Sequence, residues 1–272
     1  MNARGVLYYN IGDRYAVPLA VSLMTLRDWY AGPVAIVTDM AGIPWIRKML
    51  KIPGLLPLDI IPMLPESSSE QWRYLAKLEL PELSPFASTV MLDADTLVVG
   101  SIEELWPDMK SGEVVLTNRS NGATAHVKMR LRCQQWIDIA PLRARRVRSQ
   151  RFKVAAINTG IMAWSRNSSP FVREWYRLAR LRPIHSCDEM AAQLTYPDFP
   201  HRILDSRYNA NVTYDREDVR IWHGPRSQFW KAGGRGRALW TPYFRRELPL
   251  LRELLPTAAW LGGWLERETG KA

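Results

Sequence analysis

Thr89-Val-Met-Leu-Asp-Ala-Asp-Thr-Leu-Val-Val99 is the stretch whose reading decides the fold. An apolar run leads into two carboxylates and resumes after them, the pattern of a buried strand that ends at a polar site. In an extended chain, residues two apart point to the same side, so Asp93 and Asp95 converge while Ala94 turns away. Two unpaired carboxylates at the end of a buried strand repel each other and lose hydration. A divalent cation removes both costs. Oxygen ligands of this kind suit Mn²⁺ or Mg²⁺, with phosphate oxygens of a substrate completing the shell. The bland alternative is a pair of carboxylates capping a loop. An isolated Asp-x-Asp is common, and it is the flanking strand, Thr96 and the second apolar run that give this one weight.

Working outward, residues 5–10 (GVLYYN), 34–38 (VAIVT), 58–62, 89–92, 114–117 and 155–164 read as strands. Helical spacing occupies residues 15–30, with Leu19, Leu23 and Leu26 near one face and Gly32-Pro33 as the stop. Further helices are expected around 43–51, over 67–80 with Pro81 as terminator, and from Ser169-Pro170 to about Arg180, where Ser169 caps and Pro170 fits the first turn. A last one spans residues 187–194. Strands alternating with helices predict an α/β fold: a single domain with a mostly parallel sheet covered by helices on both faces. Ligands of such sheets bind beyond the carboxyl ends of the strands. The division expected is a nucleotide-binding domain over 1–239 and a basic, amphipathic helical tail over 240–272.

The chain has 272 residues, 47% of them hydrophobic and 24% charged, with 37 Lys and Arg against 27 Asp and Glu. This balance supports a packed core and excludes a disordered chain. The resulting charge of +10 favours anionic partners such as nucleotides, phosphorylated glycans or acidic lipids. Two cysteines, Cys133 and Cys187, make neither a disulfide framework nor a zinc pattern, which fits a reducing compartment. The N-terminal residues lack the apolar core of a signal peptide. No run approaches the ~18 consecutive apolar residues of a membrane-spanning helix. A cytoplasmic protein is expected, or one peripheral on the inner membrane face. The run Arg143, Arg145, Arg146, Arg148, Arg151, Lys153 is either a solvated loop or an attractor for a phosphorylated acceptor. No zinc-finger, helix-turn-helix or RNA-recognition signature accompanies it, so no nucleic-acid partner is expected. The tail carries Leu250, Leu251, Trp260 and Trp264 among Arg245, Arg246, Arg252 and Arg267. It either packs on the domain or lies on an anionic membrane surface.

Other positions carry chemistry of their own. Tyr8, Tyr9, Asn10 and Asp13 lie at the end of the first strand, where aromatic faces stack on a base and Asn or Asp read base and ribose edges. Adjacent strand residues face opposite sides, so one of the two tyrosines belongs to the core. Asp39, after the second strand, is a further nucleoside ligand candidate. Lys77 precedes the acidic strand and is either a solvated helix residue or a ligand contact. His223 follows a short apolar strand and is either a structural hydrogen-bonder or, with Asp93 and Asp95, the third ligand of a cation such as Mn²⁺. Gly224 lets backbone approach a phosphate. Asp188 is either a helix cap or a site residue, and Gln193 is a weaker candidate. Asn158-Thr159-Gly160 interrupts an apolar strand, as a bulge or as a polar site element.

Residues 74–106 resemble glycogenin and the wider glycosyltransferase family 8, enzymes with the GT-A fold. Asp13-Arg14-Tyr15-Ala16 with Ser22-Leu23 is similar to that family's Asp-Asn-Tyr-Ala segment. Asn158-Thr159-Gly160 is similar to its Asn-Ser/Thr-Gly turn, Asp188-Glu189 to its Asp-Gln pair, and Trp222-His223-Gly224 with Lys231 to its late His-x-x-Gly-x-x-Lys element. The His223 to Lys231 spacing is longer than in the family, and Gly224 follows His223 directly, which leaves Arg226 as a substitute for Lys231. The resemblance implies a metal-dependent transferase that uses a UDP-sugar, retains anomeric configuration, and acts on a glycan, lipid-linked or protein acceptor. It further implies that Lys77 reaches the nucleotide sugar, that Asn158 faces the sugar or acceptor, and that Asp188 orients sugar hydroxyls. Two alternatives stand beside it. Strand-Asp-x-Asp-x-Thr also opens haloacid dehalogenase-like phosphatases, where Asp93 would be the nucleophile, but their downstream Gly-Asp-x-x-x-Asp pair has no counterpart in this sequence. The other is a non-catalytic nucleotide- or membrane-binding protein.

Overall fold

The computed structural model describes residues 4–12, 15–51, 58–63, 75–119, 156–181, 183, 187–211, 217–224 and 242. The tail 240–272 as a unit, the basic run 143–153, Cys133 and the expected helix start at 67–74 lie outside the described residues. The elements are β1 (Arg4–Asn10), α1 (Ala16–Arg27), β2 (Val34–Thr38), α2 (Ile43–Met49), β3 (Leu58–Pro62), a 3-10 turn (Lys77–Glu79), α3 (Leu80–Leu83), β4 (Ser88–Asp93) and β5 (Thr96–Val98). After these come β6 (Val114–Asn118), β7 (Ile157–Ser165), α4 (Ser169–Leu181), α5 (Cys187–Thr195), β8 (His201–Leu204) and β9 (Ile221–His223).

Seven strands form one sheet in the order β3-β2-β1-β4-β7-β6-β8, and β5 pairs with β9 in a separate two-stranded sheet. β1, β2, β3 and β4 are mutually parallel, as are β6 and β8, and β7 runs antiparallel between β4 and β6. The fold is therefore α/β with a mostly parallel sheet. Two apolar clusters lie on its two faces. One unites α1 with alternate residues of β1, β2 and β4. The other unites α4 and α5 with the intervening ones. The alternation is visible in β1, where Val6 and Tyr8 join the first cluster and Leu7 the second.

Helix α1 departs from the one-faced pattern expected of it. Every residue from Ala16 to Leu26 is buried, because the β5 segment covers the side that the sheet does not. Hydroxyls join these layers. Thr96 Oγ1 donates to Asp93 O at 2.8 Å, so it accepts from Ser22 Oγ at 2.8 Å, and Ser22 in turn accepts from the Tyr8 hydroxyl at 2.9 Å. Tyr8 is thus the core member of the tyrosine pair. Its burial holds the phenol protonated well above its usual range, despite the bond to Ser22.

Two helix boundaries differ from expectation. Pro81 does not end a helix but sits in the first turn of α3, where its missing N–H costs nothing. Helix α4 is entered through a 3-10 turn, Arg166–Ser168. That turn is capped by the reciprocal Ser165–Ser168 pair, and Ser169 is already the first residue of the helix. No helix among the described residues is long and apolar enough to cross a membrane.

The hydroxyl chain generates a stability prediction. Tyr8→Phe removes a donor and leaves Ser22 bonded to Thr96, a loss of about 1 kcal/mol. Ser22→Ala strands the buried Tyr8 hydroxyl, and the loss rises to about 1–3 kcal/mol. Urea unfolding of the two variants checks the order, and a larger loss in Tyr8→Phe would contradict it.

Candidate functional site

The strand register brings the chemistry to one sheet edge. Tyr9 of β1 is level with Asp93 of β4, and Asn10 is level with Thr38 of β2. Because β7 is antiparallel, its beginning rather than its end lies at this edge. Ile161 pairs with Leu92, and Thr117 pairs with Asn158 across a register shift in which residues 159–161 of β7 have no partner on β6. The β5–β9 ribbon then sets Thr96 opposite His223, beside Asp95.

Asp93, Asp95 and His223 converge there, each offering one ligand atom, all within 4.8 Å of one another. His223 Nε2 stands 3.6 Å from Asp93 Oδ2 and 3.4 Å from Asp95 Oδ1. Lys77 is buried, not part of a solvated face. Its Nζ lies 2.7 Å from Asp93 Oδ1, 3.0 Å from Asp93 Oδ2 and 3.8 Å from Asp188 Oδ2. Burial alone would raise the Asp93 pKa, but Lys77 and His223 outweigh it and hold the carboxyl well below the usual range. Burial alone would lower both cations. Asp93 and Asp188 keep Lys77 above its ordinary value, and Asp95 with Asp93 does the same for His223.

Asp188, in the first turn of α5, is buried and accepts from Thr159 Oγ1 at 2.6 Å through Oδ2. Its Oδ1 is buried without a hydrogen-bond partner among the described residues. The backbone of Asp188 is fixed from behind by Trp175 Nε1, which donates to its carbonyl at 2.8 Å. Asn158 donates through Nδ2 to Glu189 and accepts from the Gly160 N–H at 3.0 Å. Gln193 accepts from the Ile157 N–H at 3.0 Å, which ties α5 to the start of β7. Cys187 is buried, and burial followed by the neighbouring Asp188 charge pushes its thiol up to about 12, so it is no nucleophile at neutral pH.

On the β1–β2 side, Asn10 and Thr38 are buried, and Asn10 Oδ1 and Thr38 Oγ1 lack partners among the described residues. Asp39 Oδ1 accepts from the Gly12 and Gly42 N–H groups, each at 2.9 Å, and so braces the two loops. Tyr9 is half-buried and packs on the α4–α5 side. Gly224 is buried beside Asp95, its N–H 3.4 Å from Asp95 O. Asp13, Arg226 and Lys231 lie outside the described residues.

The structure thus brings Asp93, Asp95, His223, Lys77, Asp188, Asn158 and Gly224 into one cluster and sets Tyr9, Asn10 and Asp39 along the same edge. Thr38, Thr117 and Asn209 also belong to it, and the sequence reading passed over them. Thr117 Oγ1 and Asn209 meet Asn158 and His223 in a buried hydrogen-bonded row.

Gly160 is where the cluster tolerates no side chain. A Cβ there would lie 2.7 Å from both Asp93 Oδ2 and His223 Nε2, with the His223 ring nearer still. Gly160→Ala is expected to force His223 and Asp93 apart and weaken Mn²⁺ binding at least tenfold while the circular dichroism spectrum is unchanged. Unaltered Mn²⁺ affinity in an electron paramagnetic resonance titration would contradict that geometry.

No protein-family model matches the chain, and no curated protein matches it by sequence. Solved structures do match. The galactosyltransferase LgtC, in complex with donor and acceptor sugar analogues, superposes with a TM-score of 0.61 at 15% identity, covering 88% of this chain and 94% of that one. The bifunctional glycosyltransferase WbbM matches with a TM-score of 0.62 at 10% identity, covering 99% of this chain, which spans 51% of that protein. The glycosyltransferase GlyE of Streptococcus pneumoniae TIGR4 matches with a TM-score of 0.60 at 15% identity, covering 98% of this chain and 64% of that one. The chain therefore has the GT-A type fold that these glycosyltransferases share.

Proposed function

We propose that this protein is a metal-dependent glycosyltransferase that moves a sugar from a nucleotide diphosphate donor, a UDP-sugar, to a glycan, lipid-linked or protein acceptor. The observation that supports it most is the convergence of Asp93, Asp95 and His223 at the ligand-binding edge of a GT-A type sheet. Two carboxylates and an imidazole suit Mn²⁺, and Mg²⁺ with more retained water. Gly160 lies close against Asp93 and His223, where any side chain would have to displace both. When bound, such a cation supplies Lewis-acid stabilisation of the charge that develops on a departing diphosphate.

The chain's own groups supply the rest. Lys77 holds Asp93 and places a fixed positive charge beside the reaction centre, where it costs no reorganisation. Among the described residues Asp188 Oδ1 is an acceptor in want of a donor, suited to a sugar hydroxyl, with Asn158 of β7 and Gln193 of α5 as further candidates. Asn10 and Thr38 offer acceptors to a nucleoside, with Tyr9 and Asp39 flanking and Asp13 following in the chain. Gly224 and Lys231 take the diphosphate, and retention of configuration follows from the family resemblance alone. A cytoplasmic site of action, with the basic tail 240–272 on an anionic membrane face, fits a lipid-linked acceptor. The phosphatase reading gains nothing. Among the described residues the third potential ligand beside Asp93 and Asp95 is an imidazole, not a second acidic pair.

A donor screen tests this. Purified protein with Mn²⁺ is expected to hydrolyse UDP-glucose or UDP-galactose slowly and to lose that activity in EDTA. Asp93→Ala and Asp95→Ala are expected to abolish it while remaining folded. Binding of nucleotide sugar without turnover would instead mark a non-catalytic protein, and wild-type-like activity in either variant would sink the metal assignment.

The raised His223 pKa sets a pH dependence. In the metal-free protein its contribution to stability is fully present below the unfolded value and is lost as pH rises through the folded one. A cation must displace the same proton, so Mn²⁺ affinity is expected to rise with pH through the histidine range, with proton release on binding. Calorimetric titration in buffers of different ionisation enthalpy reads that proton, and a pH-independent affinity without proton release would refute it.

A further inference from the structure

Asn209 is fully buried and touches His223. It follows the 3-10 turn Ser206–Tyr208 and precedes Ala210, which bridges to Trp222 of β9. Backbone bonds clamp this segment to β9 on both sides of Asn209. Arg220 N donates to Arg207 O at 2.8 Å, Ala210 N to Ile221 O at 3.0 Å, and His223 N to Ala210 O at 2.9 Å. Asn209 and His223 therefore move as one unit.

The hydrogen positions in the row follow from exclusion. Thr117 Oγ1 donates its single hydrogen to Ile161 O at 2.7 Å, so toward Asn209 it can only accept. Asn209 Nδ2 donates to it at 2.7 Å, and sends its second hydrogen to Asn158 Oδ1 at 3.2 Å. Asn158 Oδ1 is an acceptor, since it also receives the Gly160 N–H. Both hydrogens of the Asn209 amide are thereby assigned, and its orientation is settled by the network. Asn209 Oδ1 must then face His223 Nδ1, 3.0 Å away, as an acceptor. Nδ1 carries the proton, and in the neutral ring the lone pair belongs to Nε2, the atom turned toward Asp93 and Asp95.

We propose that Asn209 is a positioning residue that fixes His223 in its Nδ1–H tautomer, and that Thr117 fixes Asn209, so that Nε2 is offered to the cation. This rests on the reading of Asp93, Asp95 and His223 as a cation site. Partners of this kind, bonded to the far nitrogen of a ligating histidine, change metal affinity by about 10–100-fold when removed.

The test compares Mn²⁺ affinity in the wild type, Asn209→Leu, Asn209→Asp and Thr117→Val, with thermal unfolding in EDTA to confirm folding. Asn209→Leu deletes the acceptor and is expected to weaken Mn²⁺ binding about 10–100-fold. Asn209→Asp keeps an acceptor oxygen for Nδ1–H and is expected to bind within a few-fold of wild type, although it loses both amide donors. Thr117→Val frees the amide to rotate, and an intermediate loss is expected. It also serves where Asn209→Leu fails to fold. ¹⁵N chemical shifts of the His223 ring, recorded without metal at a pH where it is neutral, are expected to show protonated Nδ1 in wild type and Asn209→Asp, and a tautomer mixture in Asn209→Leu. Equal losses in the Leu and Asp variants with an unchanged tautomer would overturn the inference and leave the cation site standing. A wild type that does not bind Mn²⁺ would overturn the cation site itself.

Discussion

Asp93 is the constraint around which the site is built. Its carboxylate stands at the mouth of the central parallel strands, with three-quarters of its surface covered, and cannot rely on water for its charge. Lys77 meets both of its oxygens, yet Lys77 also serves Asp188, and Asp95 stands next to the pair. Three carboxylates thus share one lysine and one histidine. Each breach of this compensation leaves a poorly hydrated charge, which is more costly than the loss of any exposed ion pair. The rigid elements behind the cluster follow from this need. Lys77 comes from a tight 3-10 turn, Asp188 from a helix start braced by Trp175, and His223 from a ribbon paired to the residue after Asp95.

Topology supplies the convergence. Parallel β1, β2 and β4 deliver Asn10, Thr38 and Asp93 to one edge because each strand ends there. The same edge receives Asn158, Thr159 and Gly160 only because β7 is reversed and begins there. A β7 parallel to β4 would carry these residues to the opposite edge, and Gly160 could not lie against Asp93. The irregularity of β7 at residues 159–161, opposite the Leu116–Thr117 step of β6, then lets Thr117 pair with Asn158, within reach of Asn209.

What was legible in the sequence obeys local rules. Strand alternation places Asp93 with Asp95 and separates Tyr8 from Tyr9, and both assignments need only neighbouring residues. The apolar runs of β2 and β3 stand at their expected residues for the same reason. The direction of β7, the β5–β9 ribbon and β8 were not legible, because pairing partners far apart in the chain decide them. Asn209 was invisible on other grounds. It lies between a three-residue turn and a single bridge, with no periodic pattern, and its role exists only once Thr117, Asn158 and His223 have met. Pro81 begins α3 instead of ending a helix, because the fixed φ of proline suits a first helical turn as well as a stop.

Charge acts on this protein at two length scales. The chain as a whole carries +10, a field that draws anions from a distance within the reach of about one Debye length. The cluster at the sheet edge has the opposite sign, since Asp93, Asp95 and Asp188 outnumber Lys77 and His223. An anion drawn by the outer field meets repulsion at this edge, where among the described residues Asp188 Oδ1 and Asn10 Oδ1 are buried acceptors without donors. Among the described residues, buried acceptors without donors and carboxylates that outnumber the cations beside them are deficits of one kind, and a cation together with a hydroxyl-bearing ligand would relieve both. The residues that surround them, Gly160 by its missing side chain and Thr159 by its single bond to Asp188, leave those deficits open instead of filling them from within the protein.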